Sequence, residues 1–202
     1  MTADTGAPDK PFTILTVCTG NICRSPLAEQ LLRRRLEEAG HPAVRVVSAG
    51  TMAEDGAAME TESAELSVRY GGDPTEHRAR YLTEAIVADA DLVLTASREH
   101  RAAVVSLHPR ANRYAFTLVE FARLLGEVDE ADPTERRGWK SAGDVVASAA
   151  SVRGMGARLQ DASLDDIADP YRRSMARHEE TAAQISAAVD TVVAALCPAG
   201  RA

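Results

Sequence analysis

The chain has 202 residues, long enough for one well-buried core, and its composition never shifts abruptly enough to mark a second domain. With 45% hydrophobic and 26% charged residues it reads as a soluble globular protein, and an aromatic content of 4% leaves aliphatic and Ala side chains to fill the core. A formal net charge of −7 argues against nonspecific nucleic-acid binding, which needs clustered cations, so any phosphate site must be locally basic.

Residues 1–10 are small, polar and Pro-containing, and read as a loose, disordered tail without the basic start and apolar stretch of a secretory signal. No apolar run approaches the roughly 20 residues that span a bilayer. Three cysteines make no disulfide framework, and Cys18 and Cys23 without a nearby His make a poor zinc site. The expected compartment is the cytoplasm, with no metal, cofactor, membrane or nucleic-acid partner.

Residues 12–17 (FTILTV) are β-branched and apolar and predict a buried strand ending at Cys18. After the loop TGNICRS, Pro26 suits a first helical turn, and Leu27, Leu31, Leu32 and Leu36 form one stripe until Gly40. A second strand is expected at 44–47, followed by SAGT and a helix near 57–70. The helical stretch TEAIVADA leads into a third strand at 91–94. Ser97 caps a helix to about Leu107, and a fourth strand at 113–116 precedes a helix at 118–125. Strands alternating with helices imply an α/β fold with a parallel sheet covered on both faces. Residues 11–202 are read as a single domain, with residues 126–163 as an insertion carrying one helix near 143–152, the sole Trp139 and an Asp132-Pro133 pair. A lid, a partner surface and plain ornament are all open for it, ornament being the default. Asp169 and Pro170 are expected to open the last helix, whose stripe runs through Met175, Ala182, Ile185, Val189, Val192 and Leu196.

The loop between first strand and first helix carries the chemistry. Such a loop at the carboxyl edge of a parallel sheet aims backbone N–H groups and the positive end of a helix at one point, where an anion belongs. Here it reads CTGNICRS. The segment Thr19, Gly20, Asn21, Ile22 and Cys23 can wrap a tetrahedral oxyanion, with Arg24 gripping two oxygens in its planar fork. In that field a thiolate is favoured, which makes Cys18 a nucleophile. Ser25 can donate a hydrogen bond to its sulfur, and Gly20 and Asn21 suit the left-handed backbone of a tight cradle. The bland alternative is a buried thiol at a strand end beside an ordinary helix N-terminal Arg. A P-loop NTPase is excluded by the missing Gly-Lys-Ser/Thr ending, and a dinucleotide fold by the missing Gly triplet.

VCTGNICRSPLAEQ resembles the signature loop of low-molecular-weight protein tyrosine phosphatases, and SAGT (48–51), HRAR (77–80), ADLVLTASREH (90–100) and DPY (169–171) continue the likeness in the family's order. The resemblance implies a Rossmann-like, four-stranded parallel sheet flanked by helices and metal-free hydrolysis of protein phosphotyrosine through a phosphocysteine intermediate. It implies Cys18 as nucleophile, Arg24 as phosphate clamp, Ser25 as thiolate stabiliser, Asn21 as a loop-shaping residue, His77 as the partner that supports Asn21 from behind the loop, and Asp169 as general acid in preference to Asp132. His77 could also be a plain surface histidine, and Asp169 a plain helix cap. The segment TMAEDGAAMETES departs from the family by lacking an aromatic pocket wall, a role Tyr171 could take. Cys23 is expected either to pack the loop or to form a protective disulfide with an oxidised Cys18. Related scaffolds leave phosphoarginine phosphatase and thioredoxin-coupled arsenate reductase as alternatives, the first disfavoured by Ile22, the second by the scarcity of further cysteines. A catalytically silent phosphate-binding module is a third. The physiological substrate and oligomeric state stay open.

Overall fold

The structure, a computed structural model, describes residues 10–41, 43–131, 134, 139–153 and 161–197. Four parallel strands, β1 (Thr13–Cys18), β2 (Arg45–Gly50), β3 (Leu92–Thr95) and β4 (Ala115–Thr117), form one sheet in the order β2-β1-β3-β4. Around it lie α1 (Arg24–Glu38), α2 (Thr61–Arg69), α3 (Glu84–Ala88), α4 (Arg98–Leu107), α5 (Leu118–Ala131), α6 (Ala142–Val152) and α7 (Met175–Leu196). The expected α/β fold is the one observed. β1 and β3, paired on both edges, are buried along their whole length, which is why their sequences run apolar.

Successive side chains alternate between the two faces of the sheet. Ile14, Leu92, Leu94 and Phe116 meet Leu27 and Leu31 of α1, Phe121 and Leu125 of α5, and Ile185 and Val189 of α7. Leu15, Val17, Val93 and Ala115 meet Val87 of α3 and Val104 of α4 on the other side. Among the described residues no helix is long and apolar enough to cross a membrane.

Three expectations need correction. α5 runs past residue 125 to Ala131, so the segment set apart from residue 126 begins inside a helix. Its helix is present as α6, opened by a capping box between Ser141 and Asp144. Trp139, Val145, Val146 and Ala149 join the main core cluster, so the described part of this stretch packs on the domain. α2 begins at Thr61 because residues before it hydrogen-bond elsewhere: Ala79 N–H donates to the Ala57 carbonyl (2.8 Å) and Glu60 N–H to the Ile22 carbonyl (2.9 Å). The last helix begins at Met175, not Asp169. Asp169 instead accepts from Tyr171 N–H (3.3 Å) and Arg173 N–H donates to the Pro170 carbonyl (2.9 Å), a turn that Arg172 completes at φ 57°. Residues 1–9, Asp132 and Pro133 lie outside the described residues.

Candidate active site

The chain leaves β1 to form β2 on one side and later returns to form β3 on the other, so the loops after β1 and β3 diverge and open a crevice at the carboxyl edge. Register aligns Cys18 with Gly50 and Val17 with Thr95 along that edge. The β1–α1 loop fills the crevice.

Its carbonyls are tied outward. Those of Cys18 and Thr19 accept from Thr51 and Met52 N–H (2.9 Å each), that of Asn21 from His77 Nε2 (2.7 Å) and that of Ile22 from Glu60 N–H (2.9 Å). In a trans peptide the next N–H points opposite its carbonyl, so outward carbonyls turn the N–H groups of the following residues toward the inside of the loop. Asn21 makes the reversal at φ 54°, as expected. Gly20 is not left-handed: a Cβ there would meet Ile22 Cγ1 at 3.3 Å. The glycine with the sharper requirement is Gly50, where a Cβ would stand 2.5 Å from the Thr19 carbonyl and 2.8 Å from Asn21 N.

Cys18 Sγ is buried 3.0 Å from Ser25 Oγ. Asn21 Oδ1 accepts from Arg80 N–H (3.0 Å), which orients the amide so that Nδ2 donates to Ser25 Oγ (2.9 Å) and Ser48 Oγ (2.8 Å). Ser25 therefore keeps its own hydrogen for the sulfur or for the Ala49 carbonyl. Ser48 bonds Glu29, which pairs with Arg33. His77, whose Nε2 must donate because a carbonyl only accepts, has its pKa lowered chiefly by burial.

Arg24 is buried at the start of α1. Nη1 donates to the Ile167 carbonyl (3.1 Å), Nη2 pairs with Asp169 Oδ2 (3.0 Å) and lies 3.5 Å from Thr19 Oγ1, and Nε has no hydrogen-bond partner among the described residues. An unsatisfied donor of this kind costs about 1–3 kcal/mol, more when charged, unless an acceptor reaches it. Cys18, Thr19, Gly20, Ile22, Cys23 and Arg24 floor a cleft of about 330 Å³ walled by Met52, Glu54, Ala57, Asp169 and Tyr171. Tyr171 lines this cleft, and so does Met52, from the segment that lacks an aromatic. Cys23 is buried, its thiol pushed up to about 12 mainly by loss of solvent, with a Ser63 hydrogen bond acting in the other direction.

Sequence reasoning missed Gly50, Glu29, the Ile167 carbonyl and His100. The last stands behind Arg24, with Nε2 2.8 Å from Thr19 Oγ1 and Nδ1 2.7 Å from Ser97 Oγ. Only the register of β1 with β3 brings it there. Among the described residues no group of three or more His, Cys, Asp or Glu side chains could hold a metal ion.

The family model described as low molecular weight phosphotyrosine protein phosphatase matches residues 13–149, and the chain belongs to that family. It is 33% identical over 181 residues to the "Probable low molecular weight protein-tyrosine-phosphatase EpsP" of Ralstonia nicotianae, covering 90% of this chain and 93% of the relative. The crystal structure of the low molecular weight protein tyrosine phosphatase from T. tengcongensis aligns with a TM-score of 0.65 and 27% identity over 90% of this chain and 97% of that one. The YwlE arginine phosphatase of Geobacillus stearothermophilus shares the fold, with a TM-score of 0.64 and 24% identity over 91% of each chain.

Proposed function

We propose that the protein hydrolyses phosphotyrosine in protein substrates by way of a phosphocysteine. The observation that carries this is a buried thiol at the floor of an N–H-lined loop beside an arginine whose Nε lacks any partner among the described residues. A phosphate dianion supplies the missing acceptor. It competes with Asp169 for Nη2, which frees that carboxyl at the mouth of the cleft.

The Cys18 thiolate then attacks phosphorus in line, its charge steadied by Ser25 Oγ, while Arg24 and the loop N–H groups hold the equatorial oxygens. Asp169, exposed at the cleft wall, gives its proton to the departing phenolate. The carboxylate so formed takes a proton from the water that attacks the phosphocysteine, releasing inorganic phosphate and restoring the thiolate. His77, Asn21, Ser48 and Glu29 serve by keeping the loop in shape.

Ile22 and Met52 give the cleft an apolar lining and Tyr171 an aromatic one, which suits an aryl leaving group better than a guanidinium. This favours phosphotyrosine over phosphoarginine. A thiol relay to Cys197 is disfavoured because that residue packs at the end of α7 against the main core, away from the cleft lining. Cys23, within the cleft floor, is proposed as the resolving thiol: peroxide converts the Cys18 thiolate to a sulfenic acid, and Cys23 displaces water to form the disulfide. The site is proposed to act in the cytoplasm.

The test is phosphate release from phosphotyrosine, phosphoarginine and phosphoserine peptides, with Cys18→Ser alongside. Phosphotyrosine should be hydrolysed fastest, and activity should vanish in the variant. Undiminished activity in Cys18→Ser, or a clear preference for phosphoarginine, overturns the reading.

A further inference from the structure

We infer that His100 is a positioning residue for Arg24, acting through the hydroxyl of Thr19; the inference rests on the phosphatase reading above. Thr19 follows β1 and His100 lies in the first turn of α4, just after β3, so the two meet across the crevice where the strand order reverses. His100 is 6% exposed and both its ring nitrogens are engaged, Nδ1 with Ser97 Oγ and Nε2 with Thr19 Oγ1.

In the neutral tautomer that carries its hydrogen on Nδ1, that N–H donates to Ser97, Thr19 O–H donates to Nε2, and a lone pair of Thr19 Oγ1 is left facing Arg24 Nη2, 3.5 Å away. Once phosphate has displaced Asp169 from Nη2, this oxygen and the Ile167 carbonyl on Nη1 at 3.1 Å are two acceptors from different loops that set the plane of the guanidinium. A protonated ring would reverse the Thr19 bond and bring a second cation up to Arg24. Burial first, and Arg24 second, bring the pKa of His100 down to about 4, against the opposing pull of Asp169 and Asp166, so the ordered state holds at neutral pH.

Helix capping does not account for the ring. Ser97 Oγ caps α4 by accepting from the backbone N–H of residue 100, a bond that any side chain at this position preserves.

The experiment is a double-mutant cycle of His100→Ala with Thr19→Val, with His100→Gln as the conservative variant, since a Gln amide can present an acceptor near the place of Nε2. The readouts are inhibition by inorganic phosphate, kcat and KM for p-nitrophenyl phosphate, and the melting temperature. His100→Ala should weaken phosphate binding about tenfold, the worth of roughly one hydrogen bond to a charged group. The double variant should be no worse than the poorer single one, and Gln should recover most of the loss. Independent, additive effects, or a lowered melting temperature with unchanged phosphate inhibition, overturn the inference. If His100→Ala does not fold, Thr19→Ser against Thr19→Val decides, because only Ser keeps the hydroxyl; equal inhibition in the two counts against it. Wild-type hydrolysis of p-nitrophenyl phosphate and its loss in Cys18→Ser test the parent reading separately.

Discussion

Replacing Arg24 by Lys keeps the positive charge and removes the fork. The guanidinium spans two anchors at once, the Ile167 carbonyl at 3.1 Å and the Asp169 carboxylate at 3.0 Å, with Nε directed at neither. An ammonium on a flexible stem cannot meet Ile167 and a phosphate oxygen in the same plane. A hydrogen bond to a charged group contributes about 1.5–3 kcal/mol, so loss of one of two phosphate oxygens from the grip lowers kcat/KM by roughly 10- to 150-fold. The Ile167 carbonyl, left without its donor, adds a stability loss of about 1–3 kcal/mol, which in a chain of this size is a fall of several degrees in melting temperature. Steady-state kinetics on p-nitrophenyl phosphate and thermal unfolding by circular dichroism measure the two effects separately. An Arg24→Lys enzyme within threefold of wild type in kcat/KM would refute the bidentate argument, whatever its stability.

Asp169→Asn should lower kcat by about 10²- to 10⁴-fold, least for substrates whose leaving group needs no proton, and turnover within threefold would return Asp169 to being a plain partner of Arg24. Gly50→Ala should preserve far-UV circular dichroism yet cost about 10²-fold in kcat/KM, because the added Cβ would stand 2.5 Å from the Thr19 carbonyl and the phosphate loop must shift. His100, held at about 4 against an unfolded value near 6.5, binds a proton more readily in the unfolded chain, so its share of stability is present at neutral pH and is lost as pH falls toward 4. That share is up to about 3 kcal/mol in urea denaturation, His77 contributes in the same direction, and an unchanged pH slope in His100→Gln would contradict the assignment. Peroxide should inactivate the enzyme reversibly, and Cys23→Ser should recover less on adding a thiol; because the Cys23 thiol stays protonated, disulfide formation should be slow and quicken at alkaline pH. Equal recovery in both proteins, without a Cys18–Cys23 linkage by mass spectrometry, leaves Cys23 a packing residue.

The parts legible in the sequence are those made by neighbours in the chain. The run FTILTV ending at Cys18, the Leu stripe of α1 and the Ser97 cap of α4 are patterns within a few residues, and each stands where local pattern put it; Asn21 takes the left-handed geometry its residue type allows, held there by His77 and Arg80. Boundaries failed where a distant partner intervened. Residues 57–60 read as helical by composition, but hydrogen bonds to Ile22 and Ala79 keep them outside the helix. Asp169 read as a helix start, while its turn with Tyr171 and its pairing with Arg24 keep it outside α7.

By itself the sequence determined the strand, loop and helix that make an anion cradle, together with the thiol and guanidinium inside it, because the apolar strand run, the turn residues and the helix start are patterns local to that segment. The tertiary structure decided what surrounds it. Strand periodicity tells which face each side chain takes, but not which strand lies beside which, and parallel neighbours are joined through long crossovers whose ends meet only in the folded sheet. The order β2-β1-β3-β4 is therefore what sets Gly50 against the Thr19 carbonyl, puts the Thr19 hydroxyl on His100, and carries Ile167 and Asp169 to the guanidinium of Arg24.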